Sequence, residues 1–225
     1  MKHDSIQIST HSGKIINAQA PLIISTSRAT DIPAFYADWF FSRLEEGYVK
    51  WTNPFNGKDS YISFRNTRFI VFWSKNPSSL LPYLKYLKDK GIGCYLQYTL
   101  NDYDNEKLEP NVPNLFERID TYKRLVDNLG AERVIWRFDP MILTENIGIN
   151  ELLSKVTNIG NLLQGYTKKL VFSFADIMTY KKVARNLDLH NIKYKEWDCT
   201  AMTEFAKQLS NLNANNWKFF QDNRT

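Results

Sequence analysis

The length, composition and charge of the chain exclude several classes of protein. Its 225 residues suit one domain or a tight pair, and 43% hydrophobic with 14% aromatic content argues against disorder. The net charge of +5 is too small to indicate nucleic-acid binding by itself, and two cysteines exclude a disulfide-rich scaffold and a four-cysteine metal site. Uninterrupted apolar runs reach only about five residues and the N-terminus is polar, so we expect a cytoplasmic globular protein.

Residues 1–20 are polar and rich in turn formers, which leaves two interpretations open. Ile6 and Ile8 alternate with polar neighbours and Ser12-Gly13 favours a turn, a pattern typical of a hairpin. The same segment also suits a loose tail. We expect residues 21–225 to form one domain.

From Pro21 onward, short β-branched or aromatic runs alternate with helical patterns. The predicted strands are Leu22–Thr26, Tyr48–Thr52, Phe69–Trp73, Cys94–Leu100, Arg133–Phe138, Leu170–Phe174 and Trp217–Phe220. The predicted helix starts are Asp31 before Ile32-Pro33, Asn76 before Pro77, and Pro113, with later apolar stripes from Leu152 and from Met202.

Strands that alternate with helices form βα units, and right-handed crossovers make the resulting sheet parallel. No glycine-rich loop follows the first strand, which argues against a dinucleotide-binding fold. We therefore predict an α/β fold, a partial TIM-like (β/α) barrel of about seven parallel strands. It is incomplete because a full eight-unit barrel needs about 250 residues.

Polar, chemically capable residues follow nearly every predicted strand. They are Ser27, Arg28, Thr30 and Asp31; Asn53; Lys75 and Asn76; Gln97, Thr99 and Glu109; Arg137 and Asp139; and Ser173 and Asp176. If the strands are parallel, these residues converge on the carboxyl-terminal rim, where such folds bind substrates.

Each of these residues also has a structural interpretation. Asp31 and Asn76 suit helix caps, Arg28 suits an ion pair with Asp31 or Asp139, and Lys75 suits a solvated surface position. Arg137 is the hardest to explain structurally, because its neighbours Trp136 and Phe138 point to the opposite face of the strand. An inward arginine needs an anionic partner, and Asp139, Glu109 or a ligand can provide it.

Other chemistries have less support in the sequence. The three histidines share no metal-ligand spacing, so we predict no metal site. Cys94 begins an apolar strand and suits the core, and Cys199 at a helix start has no nearby histidine. Phosphate-loop, serine-hydrolase and zinc-protease motifs do not occur.

Five segments, in order along the chain, resemble the bacterial family known as domain of unknown function 1848. They are Ser27–Tyr36, Asn53–Asn56, Phe72–Pro77, Glu109–Pro113 and Arg133–Pro140. The family is similar to radical S-adenosylmethionine proteins, because its members carry closely spaced cysteines near the C-terminus. The resemblance implies a partial barrel whose open rim holds a 4Fe–4S cluster and S-adenosylmethionine.

This chain departs from the family pattern at the cofactor. Cys94 and Cys199 do not form the cysteine cluster, and Ala29 stands where an arginine is usual. We therefore expect no cofactor in this chain, and a truncated member is favoured over one that has lost the cluster.

These observations leave an enzyme and two other functions open. In the first, Arg28, Lys75 and Arg137 bind anionic groups of a small, nucleotide-like ligand, and Asp31, Lys75, Glu109 and Asp139 carry catalysis. The remaining rim residues, Ser27, Thr30, Asn53, Asn76, Gln97, Thr99, Ser173 and Asp176, complete the ligand site. The alternatives are a cluster-free module that binds a small ligand or nucleic acid, and an inactive remnant.

Overall fold

A computed structural model describes residues 4–26, 30–53 and 55–212, except the side chain of Lys182, and the backbone of residues 220–221. The chain divides into two compact units, Met1–Leu96 and Gln97–Thr225. In chain order the strands are β1 (Ser5–Ser9), β2 (Ile15–Gln19), β3 (Ile23–Ser25), β4 (Tyr48–Thr52), β5 (Asp59–Ser63), β6 (Phe69–Ser74), β7 (Gly93–Thr99), β8 (Val134–Met141), β9 (Leu143–Thr144), β10 (Lys169–Phe174), β11 (Tyr194–Lys195) and β12 (Phe220–Gln221).

The helices follow the same order. They are α1 (Ile32–Phe35), α2 (Ala37–Glu46), a 3-10 helix (Ser78–Tyr83), α3 (Leu84–Asp89), α4 (Leu115–Leu129), α5 (Ile149–Leu162), α6 (Lys181–Leu189) and α7 (Cys199–Leu212). In the described ranges, none of these helices combines the length and apolar character needed to cross a membrane.

A small sheet in the first unit has the strand order β1-β2-β5-β4. Strands β1 and β2 form an antiparallel hairpin. Of the two interpretations of the N-terminal segment, the hairpin is therefore the one that holds for residues 5–19. Strand β4 has the predicted bounds, but it pairs antiparallel with β5 and does not belong to the parallel sheet, which corrects the prediction. The reason is a short reversal, closed by the backbone hydrogen bond from Asn53 N to Lys58 O at 2.9 Å.

The second sheet gives the fold its mixed α/β character. Its strand order is β12-β10-β8-β7-β6-β3, with β7 running across the boundary between the units. The pairs β3–β6, β8–β10 and β10–β12 are parallel. Six strands replace the seven predicted, and within the described ranges no pairing closes them into a barrel. Of the predicted strand Trp217–Phe220, residues 217–219 lie outside the described residues.

Helix starts in the structure differ slightly from the predicted ones. Pro77 is the N-cap of the 3-10 helix, so it precedes the helix and Asn76 is not its cap. Asn114 caps α4 by accepting a hydrogen bond from Glu117 N at 3.0 Å, one residue beyond the predicted Pro113. Helix α6 has no predicted bounds, because its basic residues indicate only a solvated surface.

In the second unit, the outer face of β8 packs against aromatic residues. Trp136 and Phe138 are fully buried, and Trp136 Nε1 donates to Leu100 O at 2.9 Å. The phenol of Tyr122 on α4 donates to Val134 O at 2.8 Å, which joins that helix to the start of β8. The opposite face of β8 therefore carries the polar side chains.

Arg118 of α4 joins the helix to the segment that follows β7. Its side chain is 1% exposed, with Nη1 donating to Asn101 O at 2.9 Å and Nη2 pairing with Asp104 Oδ1 at 2.6 Å. A buried charge held in this way stabilises one loop conformation, because moving the loop would separate the guanidinium from its carboxylate.

We expect Arg118→Ala to destabilise the chain by about 3 kcal/mol, since the Asn101 carbonyl loses the Arg118 donor and Asp104 loses its ion-pair partner, keeping the hydrogen bond from Leu115 N. Arg124→Ala is the matched control on the same helix, because its exposed pair with Asp120 has an N–O distance of 3.7 Å and contributes less than about 0.5 kcal/mol. Urea unfolding measures both variants. Equal losses would show that the buried pair contributes no more than the exposed one.

Candidate functional site

Polar side chains of three strands share one face of the sheet in the second unit. Gln97 lies on β7, Arg137 and Asp139 lie on β8, and Ser173 lies on β10. Val171 is in register with Arg137, the register shifts between Phe172 and Phe174, and the hydroxyl of Ser173 within this shift contacts the Asp139 carboxylate. The alternation that buries Trp136 and Phe138 on one face therefore presents these polar groups on the other.

Arg137 is held by contacts from two strands. Its Nη1 donates to Gln97 Oε1 at 3.1 Å, and its Nε donates to Asp139 Oδ2 at 3.0 Å. Nη2 forms an ion pair with the same carboxylate oxygen. The Arg137 side chain is 15% exposed and that of Asp139 is 26% exposed, so the pair is sheltered but accessible. Of the anionic partners considered from the sequence, Asp139 forms the ion pair.

Asp139 also connects β8 to β10. The hydroxyl of Ser173 donates to Asp139 Oδ1, while Arg137 occupies Oδ2. The two oxygens thus receive donors from two strands, which restricts rotation of the carboxylate. The guanidinium and the carboxylate of β8 are therefore held in fixed orientations by each other and by side chains of the neighbouring strands β7 and β10.

Asn101 is an essential part of this arrangement that the site prediction omitted. Its fully buried side chain accepts from Asp139 N at 2.9 Å and donates to Asp139 O at 3.3 Å. The same amide nitrogen donates to Glu109 Oε1 at 3.3 Å. Asn101 therefore brings the predicted Glu109 to the strand ends. The available sequence signal is its position two residues beyond the end of β7.

A carboxyl group beside this amide has an altered acidity. Burial raises the pKa of Asp102 and the charges of Asp104 and Glu106 raise it further, while Lys155 and Arg118 act in the opposite direction. Lys155 is nearly buried and pairs with Glu106 Oε1 at 3.0 Å. Sequence reasoning missed this group, because a run of acidic residues in a loop ordinarily indicates a solvated surface.

Tyr103 extends the hydrogen-bond network to the backbone that follows Asp139. Its hydroxyl donates to Pro140 O at 2.9 Å and accepts from Ile142 N at 3.1 Å. Burial raises the pKa of the Tyr103 phenol, so the group remains protonated and serves as a structural hydrogen-bonding partner.

The other predicted residues of this unit have different surroundings. Thr99 is half-buried, on the same face of β7 as Gln97. Asp176 is exposed and accepts hydrogen bonds from Thr179 N at 3.1 Å and Thr179 Oγ1 at 2.7 Å, which is a local turn.

In the first unit, Asp31 has the contacts of a structural residue. Its Oδ1 accepts from Ala34 N at 3.0 Å, which caps α1. Its Oδ2 accepts from Ser74 Oγ at 3.0 Å and from Lys75 N at 2.8 Å, which joins α1 to the end of β6. These contacts agree with the capping interpretation, and its predicted catalytic role is a separate prediction.

The remaining predicted residues of the first unit do not share one arrangement. Asn76 accepts from Ser78 Oγ at 2.9 Å, and Thr30 is exposed. Asn53 accepts from Phe55 N at 2.9 Å in the turn between β4 and β5, so it does not follow a parallel strand as predicted. Ser27 and Arg28 lie outside the described residues.

Comparison with known protein families gives one result. A family model described as "Domain of unknown function (DUF1848)" matches residues 23–219. The chain belongs to this family. This assignment confirms the resemblance of its five segments. Searches of curated proteins and of solved structures found no match.

The cysteines of this DUF1848 chain do not fit the iron–sulfur cluster that the resemblance implies. Cys94 is buried in the first unit and Cys199 is exposed in the second, and three ligands are needed. Within the described residues, no three side chains of the His, Cys, Asp and Glu types form a group that could hold a metal ion.

Asp102 predicts a specific dependence of stability on pH. Its native pKa lies above the ordinary value of 3.8, so the native state retains a proton that the unfolded chain has released. The contribution of Asp102 to stability therefore falls as the pH rises through 3.8 toward the native pKa. Asparagine does not ionise, so Asp102→Asn does not lose this stability as the pH rises.

We expect Asp102→Asn to be more stable than the wild type at about pH 7, with the difference shrinking toward about pH 4. Urea unfolding at several pH values measures the difference. Asp120→Asn, at an exposed position on α4, serves as the control and should show little pH-dependent difference. A larger gain at low pH than at neutral pH would contradict the assignment.

Proposed function

We propose that the second unit binds a small anionic, nucleotide-like ligand at the strand ends, with Arg137 as its principal contact. The observation that carries this proposal is the sheltered guanidinium, which Gln97 and Asp139 orient on the same face as Ser173. A guanidinium held in one geometry loses little entropy when it binds a phosphate or carboxylate.

The neighbouring carboxylates support a ligand with donor groups as well as an anionic one. The Asp139 carboxylate contacts Arg137 directly, and Asn101 joins the Glu109 carboxylate to the backbone carbonyl of Asp139. Carboxylates accept hydrogen bonds from sugar hydroxyls or amines and repel a bare anion. A nucleotide combines a phosphate with hydroxyls, which suits this mixture better than inorganic phosphate does.

The proposal assigns different roles to the site residues. Arg137 binds the anionic group, while Asp139 and Glu109 bind hydroxyls or transfer protons. Gln97, Thr99 and Ser173 orient the ligand. The other predicted roles stay predictions. They are the catalytic roles of Asp31 and Lys75 and the ligand contacts of Ser27, Arg28, Thr30, Asn53, Asn76 and Asp176.

In this proposal, the chain is a radical-SAM-like family member that lacks the iron–sulfur cluster and acts in the cytoplasm. The sequential order of β3, β6, β7, β8, β10 and β12 supports an incomplete (β/α) barrel, because each strand follows its neighbour without the reversal of a doubly wound sheet. Binding, rather than radical chemistry, is the function proposed for this chain.

A titration followed by NMR tests the anion-binding role of Arg137. We expect adenosine monophosphate to shift the Arg137 Nε–Hε signal with a saturable curve, inorganic phosphate to bind more weakly, and adenosine to have the smallest effect. Arg137→Gln should weaken binding of the nucleotide at least about tenfold, because a charged hydrogen bond is lost. Arg118 provides an internal reference, since its buried side chain is paired with Asp104.

Arg124→Gln is the matched control, because it removes an arginine from an exposed position on α4. Its nucleotide affinity should equal that of the wild type. Unchanged Arg137 signals, or equal shifts at all arginines, would reject the proposed site. Tight, salt-sensitive binding of a single-stranded oligonucleotide that leaves Arg137 unshifted would favour the nucleic-acid alternative.

A further inference from the structure

The N-terminal hairpin leaves one strand edge without a partner in the part of the chain that the structure describes. In the order β1-β2-β5-β4, β1 is the outermost strand. Edge strands in natural proteins usually carry a charge, a proline or a bulge that blocks pairing with another chain. The strand β1, Ser5-Ile6-Gln7-Ile8-Ser9, contains no charged residue and no proline.

The hydrogen-bonding pattern of the hairpin shows which backbone groups of β1 point away from β2. Ala20 N donates to Asp4 O at 2.8 Å and Thr10 N donates to Lys14 O at 3.0 Å, so the even-numbered residues of β1 bond to β2. In an antiparallel pair, the alternate residues direct their N–H and C=O groups to the other side. Ser5, Gln7 and Ser9 therefore direct their backbone groups toward the open edge.

The sequence of β1 is a palindrome centred on Gln7. Antiparallel pairing of two copies around a twofold axis at Gln7 places Gln7 opposite the partner's Gln7 and Ser5 opposite the partner's Ser9, so identical residues face each other. These are the residues with outward backbone groups, so each pair can exchange two hydrogen bonds. Ile6 faces the partner's Ile8 in the intervening closer pairs, which extends the half-buried apolar row of the hairpin.

The other edge of the same sheet provides a contrast. Strand β4 carries Lys50, whose Nζ pairs with Asp59 Oδ2 at 2.8 Å. A lysine on an edge strand opposes pairing with a further chain, so β4 is protected and β1 is not.

We propose that a second copy of this chain pairs with β1, forming a symmetric antiparallel strand–strand dimer centred on Gln7. A strand of this length is about 17 Å long, so its interface is smaller than the roughly 1,200 Å² of a stable complex. The dimer is consequently weak and forms at high protein concentration. A second copy suits this edge because the palindrome then places identical residues opposite each other along the whole strand.

Hydrogen exchange gives a signature specific to this arrangement. In the monomer, the amides of Ser5, Gln7 and Ser9 exchange rapidly and those of Ile6 and Ile8 are protected by β2. Raising the protein concentration should slow exchange at the three odd-numbered amides and leave the other two unchanged. Sedimentation velocity over the same concentrations should show monomer and dimer in rapid equilibrium.

Gln7→Lys tests the axis directly, because it places like charges opposite each other in the dimer. We expect it to weaken dimerisation by roughly tenfold or more. Asn17→Lys adds the same charge to the exposed cross-strand neighbour on β2 and should leave dimerisation unchanged. Circular dichroism and urea unfolding establish that both variants fold.

Crosslinking provides an independent measurement. Gln7→Cys in a Cys199→Ser background should form an intermolecular disulfide on mild oxidation, whereas Asn17→Cys should not. A chain that remains monomeric at about millimolar concentration would overturn the proposal. A dimer that persists in folded Gln7→Lys would also overturn it, since the contact would then lie elsewhere.

Discussion

The candidate site depends on the requirement that a sheltered guanidinium has an anionic partner. Arg137 lies between two aromatic residues that are fully buried on the opposite face of β8. Strand alternation therefore directs its charge to the polar face, where burial without a carboxylate would be costly. Asp139, two residues further along the same strand, reaches this face by the same alternation, and Ser173 and Gln97 complete its surroundings.

A second constraint transmits this arrangement to the loop that follows β7. The fully buried Asn101 side chain uses both its oxygen and its nitrogen on the backbone of Asp139. Because the amide is buried, losing these bonds would leave unsatisfied polar groups, so the loop and the strand end keep a common geometry. Arg118 holds the Asn101 carbonyl from α4, which adds a helix to the same connection.

Local patterns in the sequence predict much of the fold and part of the site. The bounds of β4, and those of β6 and β10 to within one residue, follow from short apolar runs, and the face of β8 on which Arg137 lies follows from its neighbours. The sheet to which β4 belongs does not follow, because pairing depends on a turn and on β5, whose sequence has only one aliphatic residue. The contacts of Asn101 with the Asp139 backbone and the burial of Asp102 do not follow either, since they depend on residues distant in the chain.

Asp31 illustrates why a residue type at a strand end does not establish catalysis. Its two oxygens accept three hydrogen bonds that begin α1 and join it to the end of β6. These contacts account for Asp31 as a structural residue without any chemistry nearby. Asp139 differs, because its carboxylate contacts side chains of two strands and keeps partial exposure.

The charge distribution limits how the proposed ligand can be recognised. In the second unit, Arg118 faces Asp104, Lys155 faces Glu106, and Arg137 faces Asp139. The positive and negative charges cancel within each pair, so the net charge of +5 is not concentrated at the site. Affinity for an anion there must come from the fixed geometry of the Arg137 fork rather than from a positive field. Asn101, Gln97 and Ser173 matter to such a site because they maintain that geometry.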